Sequence, residues 1–230
     1  MAVITLVIVT GCSSGRSSQA AIGPRTRAVE DGPPSLKVLS ACRGIRATVK
    51  VAVVGLGYVG VPVAASVAAS GSTVVGIDID PKKVRSVNAG RNPLRGKEPG
   101  LPELLRAAIR KKRLSASTDF TAAEGADVVV VCVETPIDPT THDPQYRALK
   151  AALASFGPSL KQGALVSVES TLAPGTMEKL IRPALERASK KRAGRDFFLV
   201  HCPERVTAGK LLYNLTNLDR ILGAADPKGA

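Results

Sequence analysis

The glycine run Gly55-Leu56-Gly57-Tyr58-Val59-Gly60 follows directly on the apolar stretch Val49-Lys50-Val51-Ala52-Val53-Val54, and an acidic residue, Asp78, comes roughly 20 residues later. Residues of these types in this order are suited to holding a dinucleotide. Gly55 permits a tight turn, Gly57 lets the backbone approach a pyrophosphate, and Gly60 lets the next helix lie close on the strand. Amide groups at that helix's N-terminus then bind the phosphates. A carboxylate at Asp78 would accept hydrogen bonds from the adenosine ribose and repel a 2′-phosphate, which favours NAD over NADP. Lys82, Lys83 and Arg85 pull the other way. A G-x-G-x-x-G match alone is weak, because any turn in a glycine-rich chain can supply it. Its context of strand, turn, helix, strand and acid makes it specific.

The elements that must position these residues follow from the hydrophobic pattern. Val49–Val54 is a continuous apolar run of the kind that forms a strand buried on both faces, Val61–Ser70 is a helix of small apolar residues, and Thr73–Asp78 is the next strand. Helices are expected over Pro81–Ala89 and Leu101–Arg113, the latter with Leu101, Leu104, Leu105 and Ile109 on one face. A weak strand at Ser115–Thr118 precedes a strong one at Asp127–Val133. Ala148–Phe156 is a helix, Ala164–Val168 a strand, Thr176–Lys190 a helix and Phe197–Val200 a last strand. The fold class is therefore α/β: a doubly wound parallel sheet of the Rossmann type, with right-handed crossovers and strand order 3-2-1-4-5-6.

In such sheets ligands gather at the carboxyl ends of the strands, so the residues just after each strand carry the chemistry. Strand four ends in Glu134-Thr135-Pro136-Ile137-Asp138, strand five in Glu169-Ser170-Thr171-Leu172-Ala173-Pro174-Gly175-Thr176, and strand six in Cys202-Pro203-Glu204-Arg205-Val206. Taken alone, Thr171 could merely end a strand ahead of the Pro174-Gly175 turn, and Glu204 could pair with Arg205.

Composition sets outer limits. With 230 residues and 44% of them hydrophobic, the chain has material for the core of one domain plus a tail. Aromatics make up 3% and tryptophan is absent, which suits thin helices on a valine-rich sheet. Cys12, Cys42, Cys132 and Cys202 stand at wide, irregular spacings beside only His142 and His201, so neither a metal site nor a disulfide framework is indicated. A net charge of +13 raises the question of nucleic acid. The basic residues are spread along the chain without interleaved aromatics to stack bases, so solvated helix faces account for them and no nucleic-acid partner is expected.

The chain divides near residue 47. Met1–Thr10 is apolar and leads into Gly11-Cys12-Ser13-Ser14-Gly15, which loosely imitates a lipoprotein cleavage site but lacks the basic n-region of an export signal. From Gly11 to Arg46, Ser, Gly, Pro and Arg dominate without hydrophobic period. Residues 1–46 are thus expected to be a disordered extension outside the fold, and 47–230 the dinucleotide-binding domain. No stretch reaches the roughly 18 apolar residues of a membrane span, and a cytoplasmic protein without membrane partners is expected.

The glycine turn together with the three segments after strands four, five and six resembles the N-terminal domain of the UDP-glucose/GDP-mannose dehydrogenase family, over about residues 49 to 225. Within it, Glu169 before Ser170-Thr171, and Pro203-Glu204-Arg205-Val206 followed by Gly209-Lys210, look like the branch acting on UDP-N-acetylmannosamine or UDP-N-acetylglucosamine. A UDP-glucose 6-dehydrogenase fragment is the nearest alternative. The resemblance implies a two-step oxidation of a sugar C6 alcohol to a carboxylate with NAD, through a thioester on a cysteine that water then hydrolyses. It implies that Thr171 helps hold the catalytic water beside the cofactor and that Glu204 serves proton transfer in hydrolysis. Asp78 and Lys83 match a ribose-contacting pair, Thr135 a threonine near the cofactor, and Gly55, Gly57, Tyr58, Val59 and Gly60 the cofactor turn. Cys132 and Cys202 do not stand where the family keeps its nucleophile. That cysteine, with a lysine and an asparagine, would lie beyond Ala230 in the helical connection and the sugar-nucleotide domain, so the chain is expected to be an incomplete enzyme, inactive alone. Ala208 departs from relatives that have proline before Gly209. A homo-oligomer or a complementing C-terminal chain is a possible partner, and a stand-alone NAD-sensing or association module is the reading from a different class.

Overall fold

The computed structural model describes residues 48–96, 98–204, 207 and 209–224. The expected extension over residues 1–46 lies outside the described residues, as do Arg205, Val206 and Ala208.

Seven strands form one sheet among the described residues: β1 (Lys50–Val54), β2 (Thr73–Ile77), β3 (Leu114–Ser117), β4 (Val128–Val131), β5 (Leu165–Val168), β6 (Phe198–His201) and β7 (Gly223–Ala224). Their order is β3-β2-β1-β4-β5-β6-β7. The first six run parallel, with Val51 opposite both Val74 and Val128, and Val166 opposite Leu199. The expected doubly wound arrangement is therefore present, extended by one antiparallel strand that pairs His201 with Gly223 and Val200 with Ala224. That strand has two residues and no apolar run, so hydrophobic periodicity carries no sign of it.

The sheet is buried on both faces, which is why β1 reads Lys-Val-Ala-Val-Val and β4 is all valine. On one face Ala52, Val54, Val129, Val131, Val166 and Val168 pack with Leu149, Leu153 and Phe156 of α4 (Arg147–Phe156), and with Ile181 and Leu185. The other face is covered by α1 (Gly60–Ala69) and α3 (Leu101–Arg110), with Leu101, Leu105 and Ala108 of α3 fully buried and Leu104 and Ile109 partly so. Between β2 and α3 lies α2 (Pro81–Asn88), capped by the Asp80 side chain.

Two helices differ from the expectation. Thr176–Lys190 is not uniform: Met177–Ile181 is a wide π-type turn that passes into α-helix at Arg182–Ser189, together α5. Pro183 is the reason, since it has no N–H to donate to the carbonyl four residues back. The second, α6 (Leu211–Asn217), was not anticipated from the sequence; it buries Leu211 and Leu215, one turn apart. The buried Glu98 accepts a hydrogen bond from the Leu212 backbone at 3.3 Å and so ties α6 to the loop before α3.

Candidate cofactor and active site

The turn after β1 is held by backbone contacts that tolerate only glycine at two places. Gly55 has φ +96°, and a Cβ there would stand 2.6 Å from the carbonyl oxygen of Cys132 at the end of β4. At Gly60 a Cβ would stand 1.8 Å from the carbonyl oxygen of Gly55, so the helix enters against the turn itself. Gly57 differs: a Cβ there would meet only Glu134 Oε1, at 3.9 Å, and otherwise faces open space. The first two glycines are thus required by the fold, and the third keeps room for something outside it. No side chain caps α1, and its first turn has no acidic residue, which suits phosphate at its N-terminus. Tyr58 is exposed beside the turn and Val59 is half-buried at the helix entry.

Asp78 organises this end of the sheet. Its Oδ2 accepts the Leu56 N–H at 2.7 Å and lies 3.4 Å from Lys83 Nζ, while Oδ1 accepts the Asp80 N–H at 2.9 Å. The Leu56 side chain lies over Gly76 of β2, where a Cβ would come within 2.7 Å of Leu56 Cδ2. Asp78 therefore shapes the glycine turn from the end of β2. Oδ1 takes one donor from the protein and keeps a lone pair for another. These residues fit a dinucleotide: the cradle is open at Gly57, the helix end is uncapped, and an acceptor stands at the end of β2.

The remaining candidates gather at the ends of β4, β5 and β6. Thr135 Oγ1 donates to the Thr171 carbonyl at 2.8 Å, and Ser170 Oγ to the Val133 carbonyl at 2.7 Å, so the two strand ends are tied together. Thr171 is exposed, with its loop held by Tyr146, whose hydroxyl accepts the Ala173 N–H at 2.9 Å. The Glu204 N–H reaches the Glu169 carbonyl at 3.4 Å. All the sequence-derived site residues therefore lie along one edge of the sheet.

Sequence reading missed the ion cluster beneath this edge. Arg220 Nη2 lies 2.9 Å from Glu169 Oε2 and 2.8 Å from Glu204 Oε2, with the Glu169 side chain 1% exposed. Glu204 therefore pairs with Arg220, a residue just ahead of β7. Burial pushes the Glu169 carboxyl above the ordinary glutamate range, and Arg220 offsets part of that. Burial works against the Arg220 charge too, but Glu169 and Glu204 outweigh it and raise its pKa above the usual guanidinium range. Burial, aided by Glu169, raises the Cys132 and Cys202 thiols, so both stay protonated at neutral pH and are poor nucleophiles. No local signal in the sequence marks Arg220; only the return of the chain as β7 brings it here. Among the described residues no group of three metal-ligating side chains forms, and no helix is long and apolar enough to cross a membrane.

Comparison with known proteins agrees with this geometry. Residues 49–230 match the UDP-glucose/GDP-mannose dehydrogenase family, NAD binding domain. The UDP-N-acetyl-D-mannosamine dehydrogenase of Pyrococcus horikoshii is 35% identical over 181 residues, which cover 79% of this chain and 42% of that enzyme. The enzyme of the same name from Methanococcus maripaludis is 38% identical, covering 79% and 40% respectively. Among solved structures, the NDP-N-acetyl-D-galactosaminuronic acid dehydrogenase of Methanosarcina mazei Go1 superposes with a TM-score of 0.74 at 36% identity, over 79% of this chain and 40% of that one. The chain thus spans about two fifths of the length of the relatives it matches. It belongs to the UDP-glucose/GDP-mannose dehydrogenase family, of which it carries the NAD-binding domain.

Proposed function

We propose that this chain is the cofactor-binding part of an enzyme that oxidises the C6 alcohol of a UDP-N-acetyl sugar to a uronic acid. The observation that carries the reading is the convergence of the glycine turn, Thr135, Thr171 and Glu204 on one sheet edge. Glu169 before Ser170-Thr171, and relatives named for N-acetylmannosamine and N-acetylgalactosaminuronic acid, favour an N-acetyl sugar over UDP-glucose. Bound NAD would supply the hydride acceptor. The turn at Gly55, Gly57, Tyr58, Val59 and Gly60 holds the pyrophosphate. Asp78, with Lys83 beside it, takes the ribose. Thr135 fixes the Thr171 loop next to the nicotinamide, Thr171 orients water, and Glu204 moves the proton of that water during hydrolysis. The domain occupies residues 47–230 with 1–46 outside it, and the protein works in the cytoplasm, where a C-terminal segment, in this chain's continuation or in a partner, supplies the sugar site and the nucleophilic cysteine.

Two measurements test this. Titration calorimetry should show NAD binding more tightly than NADP, since a 2′-phosphate at about 4 Å from Asp78 costs about 1–4 kcal/mol between water-like and protein-surface dielectrics. Equal affinities would remove Asp78 from the ribose site, and no binding of either would remove the cofactor reading. The chain alone should not reduce NAD with UDP-N-acetylmannosamine, whereas a chimaera carrying the C-terminal part of the Pyrococcus horikoshii relative should. Uronic acid made by the unmodified chain would overturn the division of labour, and Cys132→Ser and Cys202→Ser would then locate the nucleophile.

A further inference from the structure

Arg220 stands outside the roles assigned above, yet it pairs with two acids at the site. Its side chain is 17% exposed, and one of its nitrogens faces a carboxylate oxygen from the end of β5 and another from the end of β6. A buried carboxylate left unpaired carries a large desolvation cost, and here two of them share one guanidinium. Among the described residues, Arg220 is the cation that both acids share. Cys132 and Cys202 are protonated thiols at the ends of β4 and β6, and His201 turns its Nε2 toward the Ser170 carbonyl at 3.2 Å. Two buried acids thus draw on one guanidinium.

We propose that Arg220 is the positioning residue of Glu204: its guanidinium holds the carboxylate at the sheet edge, and Glu169 sets how much of that support Glu204 receives. Glu204 is the group assigned above to proton transfer, so the catalytic half of this inference rests on that assignment, while the structural half does not. Guanidinium suits the task because its planar fork serves two carboxylates at once and holds its charge when buried. Removing Glu169 devotes Arg220 to Glu204; removing Arg220 leaves two like charges side by side.

The test uses the 230-residue chain with 13C-labelled glutamate carboxyls, followed by NMR against pH in wild type, Arg220→Lys, Arg220→Met and Glu169→Gln, each checked for NAD affinity by calorimetry. The Glu204 midpoint should rise by about one to three pH units in Arg220→Met, return most of the way in Arg220→Lys, and fall below wild type in Glu169→Gln. NAD affinity should stay within about twofold, since among the described residues Arg220 and Glu169 make no hydrogen bond or ion pair to the glycine turn. If Arg220→Met does not fold, the opposite shifts in Arg220→Lys and Glu169→Gln carry the test. A Glu204 midpoint that moves in none of the folded variants overturns the proposal. In the chimaera, the acidic limb of the pH profile for hydrolysis should move with the NMR midpoint, while the first hydride transfer does not. A moved midpoint with hydrolysis untouched by Glu204→Gln would instead sink the assignment of Glu204 and leave Arg220's hold on it standing.

Discussion

Two regions of the same sheet edge reach their geometry in opposite ways. At the end of β1, function and fold are written into one short stretch: Gly55 and Gly60 are forced by backbone atoms at 2.6 and 1.8 Å, and Asp78 closes the unit by accepting the Leu56 N–H. At the ends of β5 and β6, Glu169 meets Glu204 and Arg220, which come from the β6–β7 connection, and charge holds the three together. The first region is built mainly from backbone shape and from backbone N–H groups that donate to Asp78, with Lys83 beside it. The second is built from side chains whose balance of charge can shift without moving the chain. A cofactor that must dock in one pose suits the former, and a group that must gain and lose a proton suits the latter.

The largest effects should come from breaking the first region, and they should separate its two kinds of glycine. Gly60→Val drives a side chain into the Gly55 carbonyl, which cannot yield without displacing the helix. It should cost about 3 kcal/mol or more, read as a shift in urea midpoint, and abolish NAD binding. Gly57→Ala meets open space, so its urea midpoint should lie within about 1 kcal/mol of wild type while NAD affinity collapses. Equal NAD affinity in Gly57→Ala and wild type would mean that the pyrophosphate does not lie on this turn.

The same contrast decides what could be read from the sequence. The β1–α1–β2 unit was legible because every constraint acts between neighbours: an apolar run, glycines at fixed offsets, an acid at the next strand end. Thr135, Thr171 and Glu204 were legible as strand-end residues, because parallel sheets put their ligands there. Arg220 was not, since nothing in Asn217-Leu218-Asp219-Arg220 distinguishes it from any other surface arginine until β7 pairs with β6. Nor was the burial of Glu169, which depends on three strand ends closing over it. The first half of α5 kept its helical course but lost its α-regularity ahead of Pro183, a break that periodicity overlooks.

A smaller effect should sharpen the second region. Because the folded Glu169 carboxyl lies above the ordinary glutamate value, the native state binds more protons than the unfolded chain between those two values. Stability contributed by this group is therefore present at low pH and lost as pH rises through the interval, starting from about pH 4.3. Each pKa unit of elevation corresponds to about 1.4 kcal/mol. Asp127 and Asp138, whose carboxyls are depressed, act the opposite way below the ordinary aspartate range and are common to wild type and variant. The difference in urea midpoint between Glu169→Gln and wild type should thus grow in favour of the variant as pH rises from about 4 and level off once it passes the folded carboxyl's value. A flat difference would mean that Arg220 fully compensates Glu169, and the two acids would not be competing.

The smallest expected effect lies where the two regions meet. Glu134 follows β4, between the glycine turn and the Thr171 loop, and its Oε1 comes within 3.9 Å of the space in front of Gly57. A pyrophosphate resting there brings negative charge toward an exposed carboxylate, so Glu134 should weaken cofactor binding. In water-like surroundings two unit charges at about 4 Å repel by about 1 kcal/mol, and salt at physiological strength screens part of that. Glu134→Gln keeps the size of the side chain and removes the charge. NAD affinity, measured by calorimetry at low ionic strength, should rise by about two- to fivefold, and the gain should shrink as salt is added. A gain that ignores salt would mean the side chain acts by shape. No gain at low salt, in a protein that still binds NAD, would place the pyrophosphate away from Gly57 and shift the cofactor toward the Thr171 side of the edge, so the comparison between the two regions would have to be redrawn around Glu134.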